Sequence, residues 1–102
     1  MARSRLGLHR ILEDILGSKN VYFQPPASIQ MKYDAIVYDL DDIDARHADN
    51  LPYLTNRRYR VTLITKNPDT NLSDKIAQLP LTQFNRFYTA DNLNHYVYII
   101  YY

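Results

Sequence analysis

The chain opens with apolar residues at helical spacing. Leu8, Ile11, Leu12, Ile15 and Leu16 fall at i, i+3, i+4, i+7 and i+8, one stripe along a helix. Ser4 stands where an N-cap belongs and Gly17 where a left-handed residue closes a helix, which predicts a helix over 5–16. A short strand over 21–24 follows, halted by Pro25-Pro26 and their extended, polyproline-like exit.

Between 34 and 44 the period changes to two. Ile36, Tyr38 and Leu40 share one face, with Val37 and Asp39 on the other. From 59 to 66 the alternation returns, with Tyr59, Val61 and Leu63 opposed to Arg60, Thr62 and Ile64. Both read as half-buried strands. Residues 45–56 are polar and rich in Asn and Asp, so a long loop joining an antiparallel pair is expected there. Pairing residues whose numbers sum to 101 sets Ile36, Tyr38 and Leu40 opposite Thr65, Leu63 and Val61, Asp44 opposite Arg57, and Asp41 opposite Arg60. Any neighbouring odd sum keeps the faces matched, whereas an even sum sets apolar residues against polar ones. Parity is the firm part of this expectation.

Asn67-Pro68-Asp69 is a turn signal. Leu72, Ile76 and Leu79, behind the capping candidates Asn71 and Ser73 and before Pro80, predict a helix of about two turns. A strand over 84–88, an Asx turn over 89–92 and a last strand over 95–102 complete the order α-β-β-β-α-β-β. The expectation is one α+β domain over 1–102, its N-terminal helix and short second helix packed on a mainly antiparallel sheet.

Composition sharpens this picture. Ten Tyr, three Phe and no Trp supply strand-favouring aromatic area, and eighteen Asn and Asp against two Gly point to Asx-built corners. Twelve Lys and Arg against eleven acids give +1, unlike a strongly cationic nucleic-acid protein. The absence of Cys excludes disulfides, thiol catalysis and cysteine-ligated zinc. Met-Ala-Arg-Ser-Arg is basic, but no apolar stretch of roughly 7–15 residues follows it, so no signal peptide is expected, and no run approaches the ~20 apolar residues of a membrane span. A soluble protein of the cytosol is the expectation.

Candidate chemistry is sparse. Asp39, Asp41, Asp42 and Asp44, with Asp49 beyond, are of the type that holds hard cations, but they lack the glycine and glutamate of a calcium loop. On a regular strand Asp39 and Asp41 also face away from Asp42 and Asp44. A solvated strand end neutralised by cross-strand arginines is the preferred reading, with no metal and no cofactor. His9, His47 and His95 lack the His-x-x-x-His or His-Glu spacing of metal ligands and are expected at the surface or a sheet edge. No nucleophile elbow, phosphate loop or dinucleotide fingerprint occurs, so an enzyme is not expected. Arg57, Arg58, Arg60, Lys66 and Arg86 interleave with Tyr53, Tyr59, Phe87 and Tyr88 as in a single-strand nucleic-acid platform, but Tyr59 is in phase with core positions.

Two features point towards assembly. Residues 34–49 hold six Asp and one Arg, while 57–66 hold Arg57, Arg58, Arg60 and Lys66 without an acid. Paired as a ribbon these limbs cancel; at separate ends of the subunit they complement each other between copies. The segment 96–102, Tyr-Val-Tyr-Ile-Ile-Tyr-Tyr, is apolar or aromatic on both faces and about 23 Å long at ~3.3 Å per residue. Either its own chain covers both faces or another polypeptide finishes one. Asp39, Asp41, Asp42, Asp44, Arg57, Arg58, Arg60, Tyr98 and Tyr102 are the candidate subunit or partner contacts.

The segments Leu8-His9-Arg10-Ile11-Leu12, Val21-Tyr22-Phe23-Gln24-Pro25-Pro26, Met31-Lys32-Tyr33, Ala35-Ile36-Val37-Tyr38, Tyr59-Arg60-Val61-Thr62-Leu63-Ile64, Asp74-Lys75-Ile76 and Ala90-Asp91-Asn92-Leu93-Asn94-His95 together resemble one family. It is the tail terminator proteins, also called tail completion or tail-to-head joining proteins, of long-tailed phages and prophages of Gram-positive hosts. The resemblance implies a compact α+β subunit that forms a ring, usually a hexamer, on the head-proximal end of the tail tube. Its partners would be itself, the tail tube protein and a head connector or head-closure protein, with no membrane and no specific nucleic acid. Its place would be the virion, after assembly in the host cytoplasm. The family brings no catalytic residues. Another neck component, such as a head-closure protein, is the nearest alternative, and a small nucleic-acid-binding protein a more distant one.

Overall fold

The computed structural model describes residues 5–48, 51–67 and 69–102, with side chains described outside 42–48 and 51–56. The elements run α1 (Arg5–Leu16), β1 (Val21–Phe23), β2 (Ala35–Ala48), β3 (Leu51–Thr65), α2 (Leu72–Ala77), β4 (Thr82–Ala90) and β5 (Leu93–Tyr101). The five strands form one sheet in the order β1-β2-β3-β5-β4, with β1 parallel to β2 and every other pair antiparallel. This is the expected α+β architecture.

Helix α1 ends as its sequence predicts. Gly17 takes φ +77° and donates its N–H to the Glu13 carbonyl at 2.9 Å, the left-handed closure that glycine adopts without steric cost. The Ser4 cap lies outside the described residues. Leu8 and Leu12 bury fully against the sheet face built by Ile36, Tyr38, Tyr59, Val61, Leu63, Tyr98 and Ile100, with Ile76 of α2 completing the core. Each such aliphatic burial contributes about 1.5–3 kcal/mol. Near the end of β5 a Cβ on Gly7 would stand 2.5 Å from the Tyr102 hydroxyl, so helix and strand meet there because residue 7 has no side chain.

β1 stops where Gln24 turns to φ +44°, and the Gln24 side-chain carbonyl then accepts the Leu40 N–H at 3.2 Å. The two-residue turn between β4 and β5 uses Asp91 and Asn92 at φ +54° and +62°, residues that tolerate left-handed backbone, so the tyrosine-rich strand folds back without glycine. Asn71 caps α2 through its backbone, and its side chain makes no cap bond.

Three expectations about the central hairpin need correction. The β2–β3 register sums to 99 from Ala35↔Ile64 to Leu40↔Tyr59, so parity holds but the pairing lies two residues from the expected 101. A bulge at Asp41 then changes the sum to 100, setting Asp42 opposite Arg58, Ile43 opposite Arg57 and Asp44 opposite Asn56. Asp44 and Arg57 are therefore not partners. The bulge also reverses the phase, so Asp42 stands at a register position in step with Asp39 instead of opposed to it. Nor is 45–56 a long loop, because pairing continues to Ala48↔Leu51 with a second irregularity between Arg46 and His47.

The sheet therefore has two unequal regions. Around the core, β2 and β3 are flanked by β1 and β5. Beyond Asp42 and Arg57 they pair only with each other among the described residues, a two-stranded ribbon that projects from the five-stranded body. At the opposite edge lies β4, with eight of its nine residues exposed.

Candidate functional site

Both helices pack on one sheet face. The other face carries Val37, Asp39, Arg58, Arg60, Thr62, Ile64, His95, Val97, Ile99 and Tyr101 in alternation with the core positions. At the ribbon's base on this face, Asp41 sits in its bulge between two arginines. Arg58 Nε donates to one carboxylate oxygen at 2.6 Å and Arg60 Nη2 to the other at 3.0 Å. The Tyr101 hydroxyl also meets Arg58, and with Asp41 it raises the guanidinium's proton affinity. The acidic and basic limbs thus pair inside one subunit.

Of the nine candidate contact residues, Asp39, Asp41, Arg58 and Arg60 come together in this cluster. Arg57 stands one step along, its carbonyl accepting the Tyr102 N–H at 2.9 Å. Asp42 and Asp44 occupy backbone positions in the ribbon. Tyr98 is buried in the subunit's own core, its hydroxyl donating to the Ser73 carbonyl at 2.9 Å, and Tyr102 lies against α1 at Gly7. Asp49 is outside the described residues. Among the described residues no three His, Cys, Asp or Glu side chains cluster as metal ligands, and no helix is long and apolar enough to cross a membrane. Of the aromatic platform residues, Tyr59 is buried in the core, while Arg86 lies over the Tyr88 ring at 5.0 Å.

The ordering of β5 answers half of the cover question. The strand lies inside the sheet between β3 and β4, with Tyr98 and Ile100 under the helices and Val97 buried on the opposite face. The uncovered apolar surface lies one strand further out. Leu81, just before β4, and Phe84 and Phe87 within it are 67, 57 and 48 % exposed. Phe84 packs edge-on to Tyr98 and Phe87 on Tyr96, so both phenylalanines stand on the helix side of the sheet, where each stays about half exposed. Residues three apart share a strand face only across a bulge, and one lies between Phe84 and Arg86. Strict alternation hides that pairing in the sequence. The available signal was a nine-residue strand with one charge, Arg86.

A second arrangement was also missed. Arg5 donates to the Tyr38 oxygen at 2.9 Å, leaving the phenol hydrogen for His9 Nδ1 at 2.7 Å, and His9 Nε2 faces Glu13 at 3.7 Å. His9 and Glu13 are one helical turn apart, a His-Glu spacing that the motif reading passed over. This chain ties α1 to the sheet centre. Burial raises the Tyr38 phenol above its ordinary value of 10.0, Arg5 opposing, and burial does the same to Tyr98 against its Ser73 hydrogen bond. A buried phenol held neutral is a strut and a poor nucleophile. Because the folded state favours the protonated phenols, their contribution is complete below pH ~10 and is lost as pH rises through their folded values. Denaturant midpoints are expected to fall from about pH 10 upward, with a smaller fall in Tyr38→Phe and Tyr98→Phe. Equal slopes in all three proteins would contradict this.

The chain matches no protein-family model and no curated protein.

Proposed function

We propose that this protein is a non-enzymatic virion assembly protein that caps a phage tail tube as a ring, ends tail polymerisation and joins tail to head. The projecting β2–β3 ribbon carries this reading. An isolated two-stranded ribbon is marginal in water, so one that continues for six residue pairs past Asp42↔Arg58 is suited to lie on a neighbouring molecule. The molecule, ribbon included, measures 51 × 28 × 23 Å, long for its mass, which fits a subunit that reaches across its neighbours. The resemblance to tail terminators supplies the biological setting. A net charge of +1 suits a wall around passing DNA better than a protein that grips it.

On this reading the partners are further copies in a ring, six by analogy, the tail tube protein, and a head connector or head-closure protein. The ring assembles in the host cytoplasm and stays at the head-proximal end of the tail. Deleting the gene from the phage or prophage that carries it is expected to give tails of aberrant length and unattached heads in electron micrographs. Joined particles with normal tails would overturn the proposal. Free tails of normal length beside full heads would transfer the protein to head closure.

A further inference from the structure

Among the described residues β4 is the long outer strand of the sheet body that pairs with no further strand, since the other edge, β1, has three residues and runs into Pro25-Pro26. Alternate backbone N–H and C=O groups of such an edge point outward and invite another strand. The sequence of this edge is nearly its own mirror. Reading outward from the Asn85–Arg86 bond, Phe84 matches Phe87, Gln83 matches Tyr88, and Thr82 matches Thr89.

The bulge makes the faces match as well. Thr82 and Phe84 stand opposite Ile100 and Tyr98, and Phe87 and Thr89 opposite Tyr96 and Asn94, so all four share the helix side. Gln83, Arg86 and Tyr88, opposite Ile99, Val97 and His95, share the other side. Without the bulge, an antiparallel pairing with sum 171 would set each residue against one from the wrong face. With it, every outer pair is face-matched.

We infer that β4 pairs antiparallel with β4 of a second copy, about a two-fold axis through the Asn85–Arg86 bonds, making one ten-stranded sheet. Phe84 of each copy then meets Phe87 of the other on one side, and Gln83 meets Tyr88 on the other. Such isologous self-complementarity is what a two-fold contact requires. Arg86, the strand's one charge, lies along its own strand over Tyr88, which holds it off the axis. The exposed parts of Leu81, Phe84 and Phe87 amount to about 350 Å² in each copy if each side chain offers ~200 Å². The pair buries roughly 700 Å² of side-chain area, below the ~1,200 Å² of a stable complex, so the dimer is a weak one that dissociates on dilution. This two-fold contact does not rest on the ring reading, which needs heterologous contacts.

Sedimentation of the full chain from ~10 µM to ~1 mM tests it. A monomer–dimer equilibrium is expected, weakened at least ~10-fold by Phe84→Lys or Phe87→Lys, with a melting temperature lowered by several degrees because each ring also packs on Tyr98 or Tyr96 of its own chain. A monomer throughout, or a dimer indifferent to both substitutions, overturns the inference. The native chain has no cysteine, so an independent check is clean. Mixing Thr82→Cys with Thr89→Cys under mild oxidation is expected to give a mixed cross-linked dimer. Each variant alone gives none, because identical positions then lie seven residues, about 23 Å, apart. Cross-linking of either variant alone, or none in the mixture, overturns the register.

Discussion

Tyr38→Ala is expected to destabilise the protein by about 3–5 kcal/mol, the range for removing a buried aromatic ring. For a domain of this size that lowers the melting temperature by roughly 12–40 °C, at ~4–8 °C per kcal/mol, and removes a large share of a total stability of ~5–15 kcal/mol. The ring lies at the sheet centre, 5.0 Å from Phe23 and 6.0 Å from Tyr59 between centroids, and is 1 % exposed. Its cavity would open beneath α1. Tyr38→Phe separates packing from polar contact. It keeps the ring but removes the oxygen that receives Arg5 and the hydrogen that meets His9. About 1–2 kcal/mol should go with the hydroxyl, since one partner is a guanidinium and the site is largely dry. If Phe were tolerated within ~0.3 kcal/mol while Ala was not, the hydroxyl chain would be incidental.

How far the sequence could be read follows from what each residue is in contact with. The first helix was legible at both ends because its stripe faces one core and Gly17 closes it locally. Strand parity was legible because Ile36, Tyr38, Tyr59, Val61 and Leu63 all bury on one side. The exact register was not, since sums of 99 and 101 bury the same faces. Long-range bonds accompany the choice: Ile36 N–H to the Asn20 carbonyl, and Lys66 N–H to the Asp34 carboxylate. Residues 45–56 read as loop because a ribbon without a covering layer needs no apolar alternation, the signal on which strand recognition depends. The bulges at Asp41 and Asn85 were invisible for a related reason. Each shifts the phase by one residue, and each adjoins a distinct surface feature, the arginine cluster at one and the phenylalanine pair at the other.

Asp41→Lys is expected to lower the melting temperature measurably at low salt, because one carboxylate serves both Arg58 and Arg60 and its loss leaves three cations together. Since Arg60 is exposed, much of that cost should be screened at high ionic strength. Arg58→Glu alone should also lower the melting temperature by placing two carboxylates side by side. Combining it with Asp41→Lys restores an ion pair of reversed polarity, and the double variant should recover a measurable part of the loss. Additive losses would mean that the pair seen at 2.6 Å contributes nothing of its own. The cycle also bears on assembly. Arginines occupied within the subunit are poorly placed to hold a neighbour, so a reversed but internally paired double variant should assemble as the parent does. Assembly that fails while stability recovers would instead assign Arg58 to the contact between copies. With these charges satisfied at home, the proposed contact between copies is left to the backbone edges of the ribbon and to β4, whose backbone edge and phenylalanines are exposed.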